Sequence, residues 1–140
     1  MARFLDSSVF LHAYLRPRKK LSPAEEERKN EAVSILDRIE EGEESATSTI
    51  HVSEVINIVE SRLGLAKALE LLENLLATEN LTILAVARRE YEQALAVATR
   101  YGVGPNDAVA ALVSRDEDIA EVYSFDKHFD SIPFVKRITV

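Results

Sequence analysis

Five short runs of apolar or β-compatible residues punctuate the chain: Ala2-Arg3-Phe4-Leu5, Ser45-Ala46-Thr47-Ser48, Leu81-Thr82-Ile83-Leu84, Ile119 to Ser124 and Val135 to Val140. Between them, apolar residues recur every three or four positions, which is the period of an amphipathic helix. Short strands alternating with helices are the pattern of a parallel sheet covered on both faces. The alternation predicts a three-layer α/β/α domain with a mostly parallel central sheet. The chain has 140 residues, which suits one domain over 1–140 with a core of its own. The last run reads as a short edge strand.

The helical segments carry their own boundary signals. Ser7 or Ser8 fits the cap of the first helix, and Pro17 should stop it at or before Arg16. Ser22-Pro23-Ala24-Glu25 reads as a capping box with proline at the first helical position. Ala32, Ile35, Leu36 and Ile39 extend that helix to about Glu41, where Gly42 ends it. Val52, Val55, Ile56 and Val59 define a helix with Glu54 near its first turn, closed by Gly64. Leu65, Leu69, Leu72 and Leu76 carry the next helix, and Ala68, Leu71 and Leu75 widen its apolar face. That leucine surplus exceeds what one sheet face needs, so part of it is expected against another subunit. Glu90 to Arg100 is a helix with Tyr91, Ala94, Leu95 and Ala98 inward. Pro105 opens a helix that is nearly all apolar from Ala108 to Val113, so only its start should be exposed. Phe125 to Asp130 is a loop or one helical turn.

Composition narrows the chemistry. There is no cysteine and the three histidines, at 12, 51 and 128, lack close metal-ligand spacing. A thiolate or zinc site is therefore not expected. No apolar run approaches the ~20 residues of a membrane span. The start lacks a charged region followed by a long apolar one, so no signal peptide is read and the cytoplasm is the expected location. The net charge of −7 argues against a nonspecific nucleic-acid coat. It leaves room for a nuclease, because metal-holding carboxylates count as negative only until the site is loaded.

Four acids fall at strand-to-helix junctions or helix starts: Asp6 after the first strand, Glu54 after the second, Asp107 at the start of the apolar helix and Asp126 after the fourth strand. All four positions lie at one edge of a parallel sheet, the carboxyl edge where open α/β folds build their sites. Taken singly, an acid at a helix start is a cap or a dipole partner; the common edge is what singles out the set. Two carboxylates ~5 Å apart repel by roughly 3 kcal/mol at an effective dielectric near 20. Four together persist by taking protons or a cation. Oxygen-only donors, without histidine or cysteine, select hard ions, so Mg²⁺ or Mn²⁺ is implied. Such a site suits phosphoryl chemistry, one metal activating water and a second steadying the leaving oxygen. Asp130 is a possible extra acid, more simply a solvated turn residue. Arg16, Arg18, Lys19 and Lys20 form a basic loop able to meet RNA phosphates or simply to sit in solvent. Lys127 and His128 lie beside Asp126, able to bind phosphate but more simply structural or incidental neighbours; His12 and His51 receive no role.

Phe4-Leu5-Asp6-Ser7-Ser8-Val9 resembles the opening motif of PIN-domain nucleases. Ser53-Glu54-Val55 resembles their second acid, Pro105-Asn106-Asp107-Ala108 their third, and Ser124-Phe125-Asp126-Lys127-His128-Phe129 their fourth. The order is the family's, and the likeness covers nearly the whole chain. Its size is similar to that of VapC-type toxins of toxin–antitoxin pairs. The resemblance implies an Mg²⁺-dependent endoribonuclease with Asp6 and Asp107 as main metal ligands and Glu54 and Asp126 completing the pocket. It implies Ser8 and Ser124 as residues that orient carboxylates or water, a homodimer, and a VapB-type antitoxin that blocks the pocket. The stretch from Arg16 to Glu41 is longer than in compact members, so an RNA path there does not carry over. Two other readings fit the acids: a different Mg²⁺ phosphotransfer or phosphatase domain, and a non-catalytic module that grips a basic peptide.

Overall fold

The computed structural model describes residues 2–17 and 19–139. Arg18 of the expected basic loop and Val140 of the expected last strand lie outside the described residues. Strands β1 (Arg3–Leu5), β2 (Ser45–Ser48), β3 (Leu81–Leu84), β4 (Glu121–Tyr123) and β5 (Lys136–Ile138) form one sheet in the order β3-β2-β1-β4-β5. Every pairing is parallel. Six helices connect them: α1 (Ser7–Tyr14), α2 (Pro23–Glu40), α3 (Thr49–Leu63), α4 (Leu65–Ala77), α5 (Arg88–Tyr101) and α6 (Pro105–Asp116). A 3-10 turn over Lys127–Ser131 precedes β5. The expected α/β/α sandwich is the observed one.

Strand alternation builds two cores. Phe4 and its register partners Ala46 and Val122 enter one apolar cluster with α5, α6 and the 3-10 turn. Leu5 and its partner Tyr123 enter the other, with α1 to α4. Phe4 and Leu5 are adjacent in sequence and both essentially inaccessible, as expected for a central strand covered on both faces. Full burial of either side chain contributes about 1.5–3 kcal/mol. In α6 the seven residues Ala108 to Ser114 are all buried, so the middle of this helix is enclosed on every side; its first turn reaches the surface, and so, against the sequence expectation, does its end at Arg115 and Asp116.

Local signals set several boundaries. Ser22 caps α2 in a full capping box with Glu25, and Pro23 sits at its first position. Gly64, at φ +94°, is the single residue between α3 and α4; a side chain there would be strained. Other boundaries correct the sequence reading. The cap of α1 is Asp6 itself, not a serine: its Oδ2 accepts the Ser8 amide at 3.4 Å. Ser48 caps α3 through the His51 amide, so the helix begins at Thr49 and Glu54 lies in its second turn. In α4 the core face is Ala68, Leu71 and Leu75, whereas Leu65, Leu69 and Leu76 are exposed. In α5 Ala94 is buried, but Tyr91 and Leu95 face solvent, Leu95 at 69% exposure. Both helices have two apolar stripes, and periodicity alone does not say which stripe meets the sheet.

Candidate active site

Parallel pairing brings the first two acids together. Leu5 of β1 and Tyr123 of β4 are register partners, so the residues just past these two carboxyl ends are spatial neighbours. Ser124 Oγ donates to Asp6 Oδ2 at 2.7 Å across 118 positions of sequence, and Ser8 Oγ donates to the same oxygen at 2.7 Å. The Asp126 amide donates to Ser124 Oγ at 2.9 Å, and the Phe125 amide to Ser8 Oγ at 3.1 Å. Asp6 and Ser124 are buried. Together these groups make a closed floor in which backbone and hydroxyl donors replace the water around the Asp6 carboxylate.

The rim is built from α6 and the 3-10 turn. Asp107 lies in the first turn of α6. Asp126 caps the 3-10 turn, its Oδ1 accepting the His128 amide at 2.9 Å. The carboxyl of Asp107 is pushed up to about 7, first by burial, then by the neighbouring charges of Asp126 and Asp6 and a side-chain hydrogen bond with Asp126; His128 acts in the opposite direction. His128 Nδ1 stands 3.2 Å from Asp126 Oδ1 and 3.6 Å from Asp107 Oδ2. Ligand atoms of Asp107, Asp126 and His128 all lie within 4.8 Å of one another, close enough to share one ion.

Glu54 is joined to this rim by Asn106, whose Nδ2 donates to Glu54 Oε2 at 3.0 Å. Asn106 immediately precedes Asp107, so α3 and the start of α6 are tied at the site. Three residues before Glu54, the His51 ring is buried, with 1% exposure. Its Nδ1 bonds Ser48 Oγ at 2.5 Å, and its Nε2 faces Asp6 Oδ1 at 3.8 Å. Burial pushes the ring's pKa down, against the pull of Asp6 and Glu54, which keeps the imidazole neutral near pH 7.

The structure thus gathers Asp6, Asp107 and Asp126 into one electrostatically coupled group, with Glu54 attached through Asn106. Ser8 and Ser124 both donate to Asp6. Asp130 is engaged elsewhere: Arg137 holds it through two hydrogen bonds of 3.0 and 3.1 Å, and its carboxyl lies below the usual range for that reason. Sequence reasoning gave His51 and Asn106 no role and read His128 as a phosphate-binding or incidental neighbour of Asp126. Two of these had a faint signal, since His51 is one helical turn before Glu54 and His128 two positions after Asp126. His12 packs edge-on against Phe125, ring centroids 4.9 Å apart, and so supports the wall beside Asp126.

The donor set suits a hard cation. It is mostly carboxylate oxygen, and Asp107, pushed up first by burial and then by the charges of Asp126 and Asp6, is a carboxyl that gains from a cation. One imidazole nitrogen among oxygens is compatible with Mg²⁺ and Mn²⁺ and is too few soft donors for a structural zinc site. Among the described residues, no helix is long and apolar enough to cross a membrane.

The family described as PIN domain matches residues 3–135 of the chain. No curated protein matches it significantly. Among solved structures, it is similar to Mycobacterium tuberculosis VapC20, described as a Sarcin-Ricin loop cleaving toxin, with a TM-score of 0.78 at 20% identity over 99% of this chain and 100% of that one. VapBC2 from Rickettsia felis, bound to a promoter DNA fragment, aligns with a TM-score of 0.68 at 16% identity, covering 99% and 98% of the two chains. FitAcB from Neisseria gonorrhoeae aligns with a TM-score of 0.63 at 22% identity, covering 96% and 95%. At these identities the likeness establishes the fold.

Proposed function

The chain belongs to the PIN-domain family, and from that premise we propose that it is an Mg²⁺-dependent endoribonuclease, the toxin of a VapBC-type pair. The observation that carries this reading is the convergence of Asp6, Asp107 and Asp126 in one cup, where burial first, and then the charges of Asp126 and Asp6, raise the Asp107 carboxyl to about 7. Structural neighbours that are themselves VapC or VapBC proteins support the toxin assignment.

In this proposal Asp6, Asp107, Asp126 and Glu54 hold Mg²⁺ or Mn²⁺. When bound, the ion supplies Lewis acidity toward a phosphate oxygen and a nucleophilic water at neutral pH. The chain's own contribution is placement. Ser8 and Ser124 occupy Asp6 Oδ2 and leave Oδ1 for the cation. Asn106 fixes Glu54. His128, exposed at the rim beside Asp107 and Asp126, stands where a substrate phosphate or leaving group would approach. Water attacks phosphorus, the bond from phosphorus to the 3′ oxygen breaks, and that oxygen takes a proton, leaving 5′-phosphate and 3′-hydroxyl ends.

Partners follow the same reading. An antitoxin of VapB type would cover the acidic cup with a basic side chain, for which the site's excess negative charge is the complement. The exposed leucines of α4, Leu65, Leu69 and Leu76, support a homodimer. The test of function is cleavage of an RNA with Mg²⁺, with EDTA, and with Asp6→Asn or Asp107→Asn. Loss of at least about a hundredfold in each arm is expected; undiminished cleavage in either variant, or in EDTA, would remove the mechanism.

A further inference from the structure

Among the described residues, two buried side-chain polar atoms have no hydrogen-bond partner, Ser7 Oγ and His51 Nε2. The second is aimed into the acidic cup. A buried donor left unmade costs free energy that a leucine in its place would avoid, so an unpartnered imidazole at the floor of a charged site calls for a reason.

The geometry supplies one. Ser48 Oγ lies against Nδ1 and also accepts the His51 amide at 3.3 Å. With that backbone N–H pointing at its lone pair, the serine hydroxyl proton is free to point at Nδ1. Nδ1 is then the acceptor, and the ring proton sits on Nε2. Nε2–H faces Asp6 Oδ1 at 3.8 Å. Asp6 Oδ2 is already filled by Ser8 and Ser124, so Oδ1 is the oxygen with capacity to spare. Asn106 carries the link to Glu54 and precedes Asp107. The ring sits on α3, one turn before Glu54, against the carboxylate that β1 presents.

We propose that His51 is a positioning residue of this site: an imidazole with its proton on Nε2 that sets the place and aim of the Asp6 carboxylate for a divalent cation. The inference rests on the metal-dependent reading of the site above. Outer groups that orient metal-binding carboxylates are typically worth 10–100-fold in metal affinity. A glutamine side chain places an amide nitrogen near the position of Nε2, whereas leucine fills the space without a donor.

The experiment has two arms. In the metal-free protein, long-range ¹H–¹⁵N NMR reads the tautomer of His51, expected to be Nε2–H. Mn²⁺ affinity is then measured by calorimetry for the wild type, His51→Gln and His51→Leu, alongside their thermal unfolding. Retention within about threefold for glutamine and a loss of about tenfold or more for leucine are expected, with the two variants melting within a few degrees of each other. Leucine binding as tightly as the wild type, glutamine failing as badly as leucine, or a ring protonated on Nδ1 would each overturn the inference. Should a variant not fold, the tautomer arm still decides. Wild-type protein that takes up no Mn²⁺ would refute the metal site itself, a failure distinct from loss of the donor's role.

Discussion

The floor and the rim of the acidic cup hold the same chemical group in opposite ways. On the floor, Asp6 receives two hydroxyls and an amide on one oxygen, and its surroundings come entirely from the protein. On the rim, Asp107 meets Asp126 and is pushed up by burial and then by the charges of Asp126 and Asp6. A floor carboxylate solvated by fixed dipoles has little to gain from an added ion except through its free oxygen. A rim carboxyl crowded by other acids relieves its repulsion only by binding a proton or a cation. The contrast says where binding energy for a metal is stored, and it is stored on the rim.

Three measurements would break or sharpen that contrast. The largest effect is in the pH dependence of stability. Asp107 keeps its proton to about pH 7 in the folded chain but loses it near the ordinary carboxylate value when unfolded. The folded state therefore binds more protons between those limits, and stability falls as pH rises through that window. Relative to Asp107→Asn, the metal-free wild type should lose up to about 4 kcal/mol between pH 4 and pH 7.5 in urea unfolding. A difference that stays flat with pH would mean the rim is not strained. Next is Ser124→Ala, which strips one donor from a buried carboxylate and should cost about 1–3 kcal/mol at neutral pH, more than Ser8→Ala because Ser8 is only half-buried. If the alanine variant is as stable as the wild type, the floor does not depend on its hydroxyls. Smallest is Arg137→Ala. It frees Asp130 from a surface ion pair and should leave RNA cleavage within about twofold; a larger loss would bring Asp130 into the site.

The parts of this organisation that were legible in the sequence were those set by local physics. The capping box at Ser22 and Glu25, the proline at the first turn of α6, and the strand at Leu81–Leu84 all lie where their residues point. The convergence of Asp6 and Asp126 followed from strand-to-helix alternation, because adjacent parallel strands end at the same edge. What escaped was decided by packing. The leucines of α4 form two stripes, and the one with Ala68 is the one that faces the core. Tyr91 and Leu95 were expected inward on spacing alone, yet only Ala94 of α5 is fully buried. His51 reads as an ordinary apolar-face residue until the tertiary structure sets Asp6 opposite its Nε2.

The most direct test of the stored repulsion is proton release on Mn²⁺ binding, measured by calorimetry in buffers of different ionisation enthalpy. Near pH 6, about one proton should leave per metal bound, falling toward zero above pH 8 and absent in Asp107→Asn. Binding heats that do not change with buffer at pH 6, or proton release that survives in the asparagine variant, would contradict the claim that the rim acids await a cation.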